Sequence, residues 1–265
     1  MINKITRRID RTLRKNGIDL TKLLRPFHLS QKRKFENQLR LLKQQQGQDR
    51  SFIFSKNRPI FHEDQHEGGT MKGHYFHQDL LVARRIFNSQ PLRHIDIGSR
   101  TDGFVAHVAC FREIEVLDIR AISSRVKNIH FRQADLMQLP SDLLDCCDSI
   151  SSLHAIEHFG LGRYGDPIDY FGHIKALENI TKMLKNGGVF YFSTPIGPQR
   201  IEFNAHRVFS LTYLLDLFQE KFELIQFSFV DETGNLQENI ELTEHAIANN
   251  CGCNYGCGIF ELRKR

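Results

Sequence analysis

His94-Ile95-Asp96-Ile97-Gly98-Ser99 reads as a short buried strand that runs into a glycine turn and then into a helix start, an arrangement that builds a small-molecule pocket at the strand's end. The strand Glu113-Ile114-Glu115-Val116-Leu117-Asp118 follows and ends in an acid 22 positions after Asp96. A carboxylate at that distance accepts hydrogen bonds from ribose hydroxyls. A third strand over residues 128–135 ends in Asp135, which can accept from an exocyclic amine such as adenine's. Beyond a fourth strand, residues 148–153, stands His154-x-x-Glu157-His158. That spacing matches a zinc-protease pattern, but the pattern needs a sustained helix, and Gly160, Gly162 and Gly165 follow almost at once. Cys251-Gly252-Cys253-x3-Cys257 offers three thiols to a zinc ion without a paired cysteine motif elsewhere, so a turn entering the last strand is favoured there and no metal is assigned.

The elements that position these residues alternate. Residues 73–87 turn helical by period, carry His74 and His77 beside Tyr75, and are stopped by Pro91 before the first strand. Asp102 stands where a helix N-cap is wanted. A helix over about 169–185, capped by Asn186-Gly187-Gly188, precedes a fifth strand, 189–194. A helix around 211–219 and two strands, 222–230 and 258–262, close the chain. Such alternation specifies an α/β three-layer sandwich around a mostly parallel sheet.

Composition and charge divide the chain. Residues 1–50 hold 14 Lys and Arg against 4 Asp and Glu, whereas residues 51–265 hold 22 against 27. The first fifty residues form a basic arm and residues 51–265 the body. Ile2, Ile5, Ile9 and Leu13 recur at helical spacing among Lys4, Arg7, Arg8, Arg11, Arg14 and Lys15, a basic amphipathic helix that Gly17 ends. Leu20, Leu23 and Leu24 make a second apolar face before Arg25-Pro26 breaks the pattern, and a polar helix follows over about 31–46. The arm packs on the body with a solvated charged face, or it meets an anionic membrane surface or lipid-linked substrate. Nucleic acid is disfavoured, because Phe27 and Phe35 are the arm's only aromatics. With 21 Phe and no Trp, phenylalanine must be the large core filler. No run of about 18 apolar residues and no signal-peptide apolar region is present, which points to a cytoplasmic protein whose six cysteines are thiols.

Asp96-Ile97-Gly98, Asp118, Asp135 and Leu153-His154-Ala155-Ile156-Glu157-His158 together resemble the class I S-adenosylmethionine-dependent methyltransferases. More narrowly, residues 73–79, 96–107 and 158–166 resemble an uncharacterised methyltransferase-like family known as a domain of unknown function in nematodes and bacteria. The likeness spans about residues 51–265 and implies a Rossmann-like fold with a seven-stranded sheet in the order 3-2-1-4-5-7-6. It implies S-adenosyl-L-methionine as cofactor, with Tyr75, Asp96, Gly98, Ser99, Arg100, Gly103, Asp118, Asp135 and His154 around it. The loop departs from the usual three alternating glycines, having Ser99-Arg100-Thr101-Asp102 between Gly98 and Gly103. That departure disfavours a dinucleotide, whose pyrophosphate needs close backbone amides, more than a cofactor without phosphate. Methyl transfer to a hydroxyl needs a base, and His154, His158 and His206 are candidates in that order, with Glu157 beside them. The acceptor expected is a sugar or other small hydroxyl compound, in cell-surface glycan assembly; a non-catalytic scaffold of the same fold is the alternative. An Asp/Asn-Pro-Pro-Tyr motif of DNA amino-methyltransferases is absent after the fourth strand, where Ser151-Ser152-Leu153-His154 stands.

Overall fold

The computed structural model describes residues 20–61 and 68–265, and the basic helix expected over residues 2–15 lies outside them. The chain divides into two compact units, one ending at Thr70 and the other spanning Met71 to Arg265. The irregular connection after residue 50 therefore groups with the first unit. Helix α1 (Leu20–Gln46) runs through Arg25-Pro26 rather than breaking there. A proline removes a single helical hydrogen bond, and the Gln-, Lys-, Arg- and Leu-rich run that follows propagates strongly. Within this unit the segment after α1 folds back on it: Gln46 Nε2 donates to the Phe52 carbonyl (2.7 Å), Lys43 lies over the Phe54 ring, and Phe61 meets Phe35 edge-on. Among the described residues no helix is long and apolar enough to cross a membrane.

The second unit is built on strands β1 (His94–Ile97), β2 (Ile114–Asp118), β3 (Ile129–Gln133), β4 (Cys147–Leu153) and β5 (Leu184–Ile196), followed by β8 (Phe222–Val230), β9 (Leu236–Gln237) and β10 (Gly256–Lys264). They form one sheet in the order β3-β2-β1-β4-β5-β10-β8-β9. The first five are parallel, and β10 inserts antiparallel between β5 and β8. The α/β sandwich and the implied strand order are present, with one correction: the sheet has eight strands rather than seven. The extra strand, β9, pairs only Phe229 with Gln237 and Val230 with Leu236, too short to carry a periodic pattern. A separate ribbon joins β6 (Arg200–Glu202) to β7 (His206–Val208).

Alternation along the strands sends residues to two cores. Ile95, Ile97, Ile150, Phe190, Phe192 and Phe260 face α4 (Gly172–Met183) and α5 (Leu211–Phe218). Val116, Leu153, Tyr191 and Ile259 face α2 (His74–Ser89) and α3 (Ala106–Ala109). Phenylalanine is the main large filler, as the absence of Trp requires; Phe227 and Phe260 have ring centroids 4.9 Å apart. A short helix α6 (Glu244–Ala248) precedes β10.

Two helix ends differ from expectation. Asp102 does not cap: its carboxylate pairs with Arg100, and Thr101–Val105 is a wide turn in which Val105 N–H donates to the Arg100 carbonyl. The helix expected to end at Asn186-Gly187-Gly188 stops at Met183, because Leu184 already pairs with Cys147 and the glycines belong to β5.

Candidate functional site

Beneath the glycine turn lies a buried polar ladder linking β1 to β4. Ser149 Oγ lies 2.7 Å from His94 Nδ1, His94 Nε2 lies 3.1 Å from Ser151 Oγ, and Ser151 Oγ donates to Asp96 Oδ1 (2.6 Å). Ser151 spends its proton on Asp96, so His94 Nε2 carries a proton and Nδ1 accepts from Ser149. Burial pulls the His94 pKa down to about 3, in keeping with a neutral ring. Burial also pushes Asp96 up to about 7 against the hydrogen bonds from Ser151 and Ser99. Asp96 in turn accepts from Ser99 N–H and Ser99 Oγ, and Ser99 Oγ accepts from Leu153 N–H, which pins the turn to the end of β4.

Above the ladder opens a cavity of about 630 Å³ at the carboxyl ends of β1, β2, β3 and β4. Of the residues picked from the sequence, Tyr75, Gly98, Ser99, Arg100, Asp118, Asp135, His154, Glu157, His158 and His206 line it. Asp96 and Gly103 do not: Asp96 is fully buried and holds the turn from below, and Gly103 leaves room for the Asp79 carboxylate. Burial raises Asp79 to about 6. Gly98 has φ +69°, and a Cβ there would lie 3.0 Å from Ala155 Cβ, so both backbone conformation and space call for glycine.

Asp118 already has a partner. Arg120 donates to both its oxygens through Nε (3.0 Å) and Nη2 (2.8 Å), and the guanidinium lies 4.2 Å from the Tyr164 ring centroid. Asp135 accepts from Met137 N–H through Oδ1. Arg120, Tyr164, Met137 and Tyr255 line the cavity without having been singled out as site residues. Arg120 stands two residues after the ribose acid and Tyr164 within the glycine-rich stretch; those positions were the available signal.

The histidines come together. His154 sits at φ +51°, a conformation that non-glycine residues adopt at a cost and that clusters at functional sites. Its Nδ1 lies 2.8 Å from Glu157 Oε1, while its buried Nε2 has no hydrogen-bond partner. Burial opposes a charge on His154, but Cys257 and Glu157 outweigh burial and hold the imidazole well above its ordinary range. His158 Nδ1 donates to the Ala205 carbonyl (2.6 Å), and its Nε2 is 3.8 Å from Glu157 Oε1, beyond hydrogen-bond reach. Burial lowers the His158 pKa, leaving a neutral ring. The His206 ring centroid is 6.4 Å from that of His158, and β7 supplies it. His154-x-x-Glu157-His158 does not sit on a sustained helix, since Ile156–His158 is a single tight turn.

A strand order of 3-2-1-4-5-7-6 with an added edge strand, and a cavity at the carboxyl ends of the parallel strands, define a methyltransferase-like protein of the class I fold. Residues 107–264 match the family described as Caenorhabditis protein of unknown function, DUF268, and the chain belongs to that family. The fold is similar to that of the [4+2]-cyclase SpnF, at 15% identity and TM-score 0.51, covering 71% of this chain and 80% of that one. It is equally similar to 1,6-didemethyltoxoflavin-N1-methyltransferase from Burkholderia thailandensis, solved with S-adenosylhomocysteine, at 13% identity and TM-score 0.51, covering 71% of this chain and 78% of that one. At such identities the likeness establishes the fold. No curated protein sequence matches.

Proposed function

We propose that the protein is an S-adenosylmethionine-dependent methyltransferase acting on a hydroxyl of a small acceptor such as a sugar, in glycan assembly. One observation carries this: a single cavity collects the turn glycine Gly98, the strand-end acids Asp118 and Asp135, and three histidines. The residues fit the cofactor. Gly98 leaves bare backbone at the turn, Asp118 suits ribose hydroxyls once Arg120 swings away, and the second oxygen of Asp135 is available to an exocyclic amine. Bound there, the cofactor supplies a methyl group activated by its sulfonium. The chain's own residues hold the acceptor in line with that carbon, an effect worth up to about 7–11 kcal/mol in favourable intramolecular cases. As the acceptor oxygen forms its bond to the methyl carbon and the carbon–sulfur bond breaks, the hydroxyl proton must leave. His158 is the preferred base, ahead of His154: its Nδ1 proton is fixed on Ala205, its ring is neutral, and Nε2 accepts the proton.

The test is calorimetric titration of the full chain with S-adenosylhomocysteine beside Asp118→Ala. Micromolar binding that weakens in the variant supports the proposal. A folded chain that takes up no S-adenosylhomocysteine overturns it and favours a scaffold of the same fold.

A further inference from the structure

Where β10 passes between β5 and β8, it brings Cys257 against the start of α2 and the end of β4. His74, His154 and Cys257 each present a ligand atom there, all within 4.8 Å of one another, a grouping of three such donors among the described residues. We infer that these three side chains form a zinc site of the three-ligand kind, with the fourth position left to water or to an acceptor heteroatom.

The donor set suits the ion. Two imidazoles and one thiolate are borderline-soft ligands, and three protein ligands with one open position are the arrangement of catalytic rather than structural zinc. His154 is already oriented to ligate, because Glu157 holds Nδ1 at 2.8 Å and leaves the buried, unpartnered Nε2 as the nitrogen that ligates once the ion displaces its proton. A carboxylate behind a ligating histidine is the usual outer partner of bound zinc, fixing the tautomer and raising basicity. Charge balances as well, since a dication is matched by the Cys257 thiolate and the Glu157 carboxylate in a site where neither is solvated. Cys257 gives up little on ligation. Its thiol makes two weak contacts, 3.5 Å to Gln78 Oε1, which Ser193 Oγ continues to satisfy at 2.6 Å, and 3.8 Å to the Gly258 carbonyl. The His74 and His154 rings stack at 16° with centroids 5.3 Å apart, so closing the set turns the half-buried His74 while His154 stays anchored. Tyr255 stacks on His74 in turn, and both Tyr255 and His154 line the cavity, so the fourth ligand reaches the ion from that side. Only the identity of that ligand as an acceptor hydroxyl rests on methyl transfer; the ion site stands without it.

The thiols considered from sequence are thus divided differently. Cys257 joins two histidines, while Cys251 sits on a turn and Cys253 lies near its carbonyl.

The experiment uses the full chain without a histidine tag, titrated with Zn²⁺ against a chromophoric chelator and with Co²⁺ for its spectrum. One ion per chain is expected, with tetrahedral visible bands and a thiolate-to-cobalt charge-transfer band. His74→Ala and Cys257→Ser should each abolish that spectrum, Glu157→Gln should weaken affinity about 10- to 100-fold, and Cys251→Ser with Cys253→Ser should change nothing. His74 is half-buried, so its variant keeps the test decisive if Cys257→Ser misfolds. A natively melting chain that binds no zinc at micromolar concentration overturns the site. So does binding that survives both ligand variants or depends on Cys251 and Cys253. S-adenosylhomocysteine titration of the same samples separates the two proposals, because loss of cofactor binding with zinc retained sinks methyl transfer alone.

Discussion

His94 and Asp96 are two residues apart on β1, joined through Ser151, and burial acts on them in opposite senses. Asp96 is raised from 3.8 to about 7, so between about pH 4 and 7 the unfolded chain loses a proton that the folded chain keeps, and stability falls as pH rises. His94 is lowered from 6.5 to about 3, so the unfolded chain binds a proton the folded chain refuses, and stability falls as pH drops through that window. The two offset each other over about pH 4 to 6.5. Removing one should expose the other: relative to wild type, His94→Gln loses stability as pH rises from 4 to 6.5, whereas Asp96→Asn gains it from 4 to 7. Urea melts at four pH values read this, and parallel curves for all three proteins would refute the opposition. A second residue-scale expectation concerns Arg120, a half-exposed side chain whose pair with the largely buried Asp118 would have to open for a ribose to bind there. Exposed pairs are worth about 0.2–1 kcal/mol, so Arg120→Ala should tighten S-adenosylhomocysteine binding by no more than about fivefold. Weaker binding in that variant would instead make Arg120 a cofactor contact.

The turn between β1 and the Thr101–Val105 helical turn works as an element because its glycine meets two demands at once, a left-handed backbone and a close neighbour at the site. Gly98 has φ +69° and faces Ala155 Cβ at 3.0 Å, whereas Gly187 has φ +78° with nothing within 4 Å. Alanine at either should cost about 1–2 kcal/mol for the left-handed backbone. Gly98→Ala must in addition move the end of β4, so it alone should weaken S-adenosylhomocysteine binding; equal affinities in the two variants would show that the turn does not shape the site. That turn was legible in sequence, as were the strand-end acids, because a buried strand, a glycine and a following helix are local patterns. The alternation of strands and helices behind the three-layer sandwich was legible for the same reason. Other features depend on distance. The two-residue β9 exists only through its pairing with β8, and the Arg100–Asp102 pair pre-empts a cap that composition alone would assign. Asp96 reads as a ligand contact until Ser99 and Ser151 are seen to surround it. The approach of Cys257 to His74 and His154 follows from inserting β10 between β5 and β8, and no spacing in the chain encodes it.

Across the whole molecule charge is separated along the chain, with residues 1–50 carrying 14 basic against 4 acidic groups and residues 51–265 carrying 22 against 27. A protein whose net charge were spread evenly would be repelled or attracted as one body; here the acidic remainder is repelled by an anionic surface that attracts the arm. Binding to such a surface would therefore run through the arm and would be screened over about 8 Å at physiological salt. Each Lys or Arg at an anionic membrane contributes about 1 kcal/mol. Replacing Lys4, Arg7, Arg8 and Arg11 together by Gln should then remove about 4 kcal/mol, close to three orders of magnitude in vesicle affinity. Co-sedimentation with phosphatidylserine vesicles, with phosphatidylcholine vesicles beside them, measures it. The expected result is binding to the anionic vesicles alone, lost on raising salt and lost in the fourfold variant while S-adenosylhomocysteine affinity is unchanged. Equal partition to both lipids, or none to either, would return the arm's charge to a solvated face, because an electrostatic contact has no means of ignoring the sign of the surface it meets.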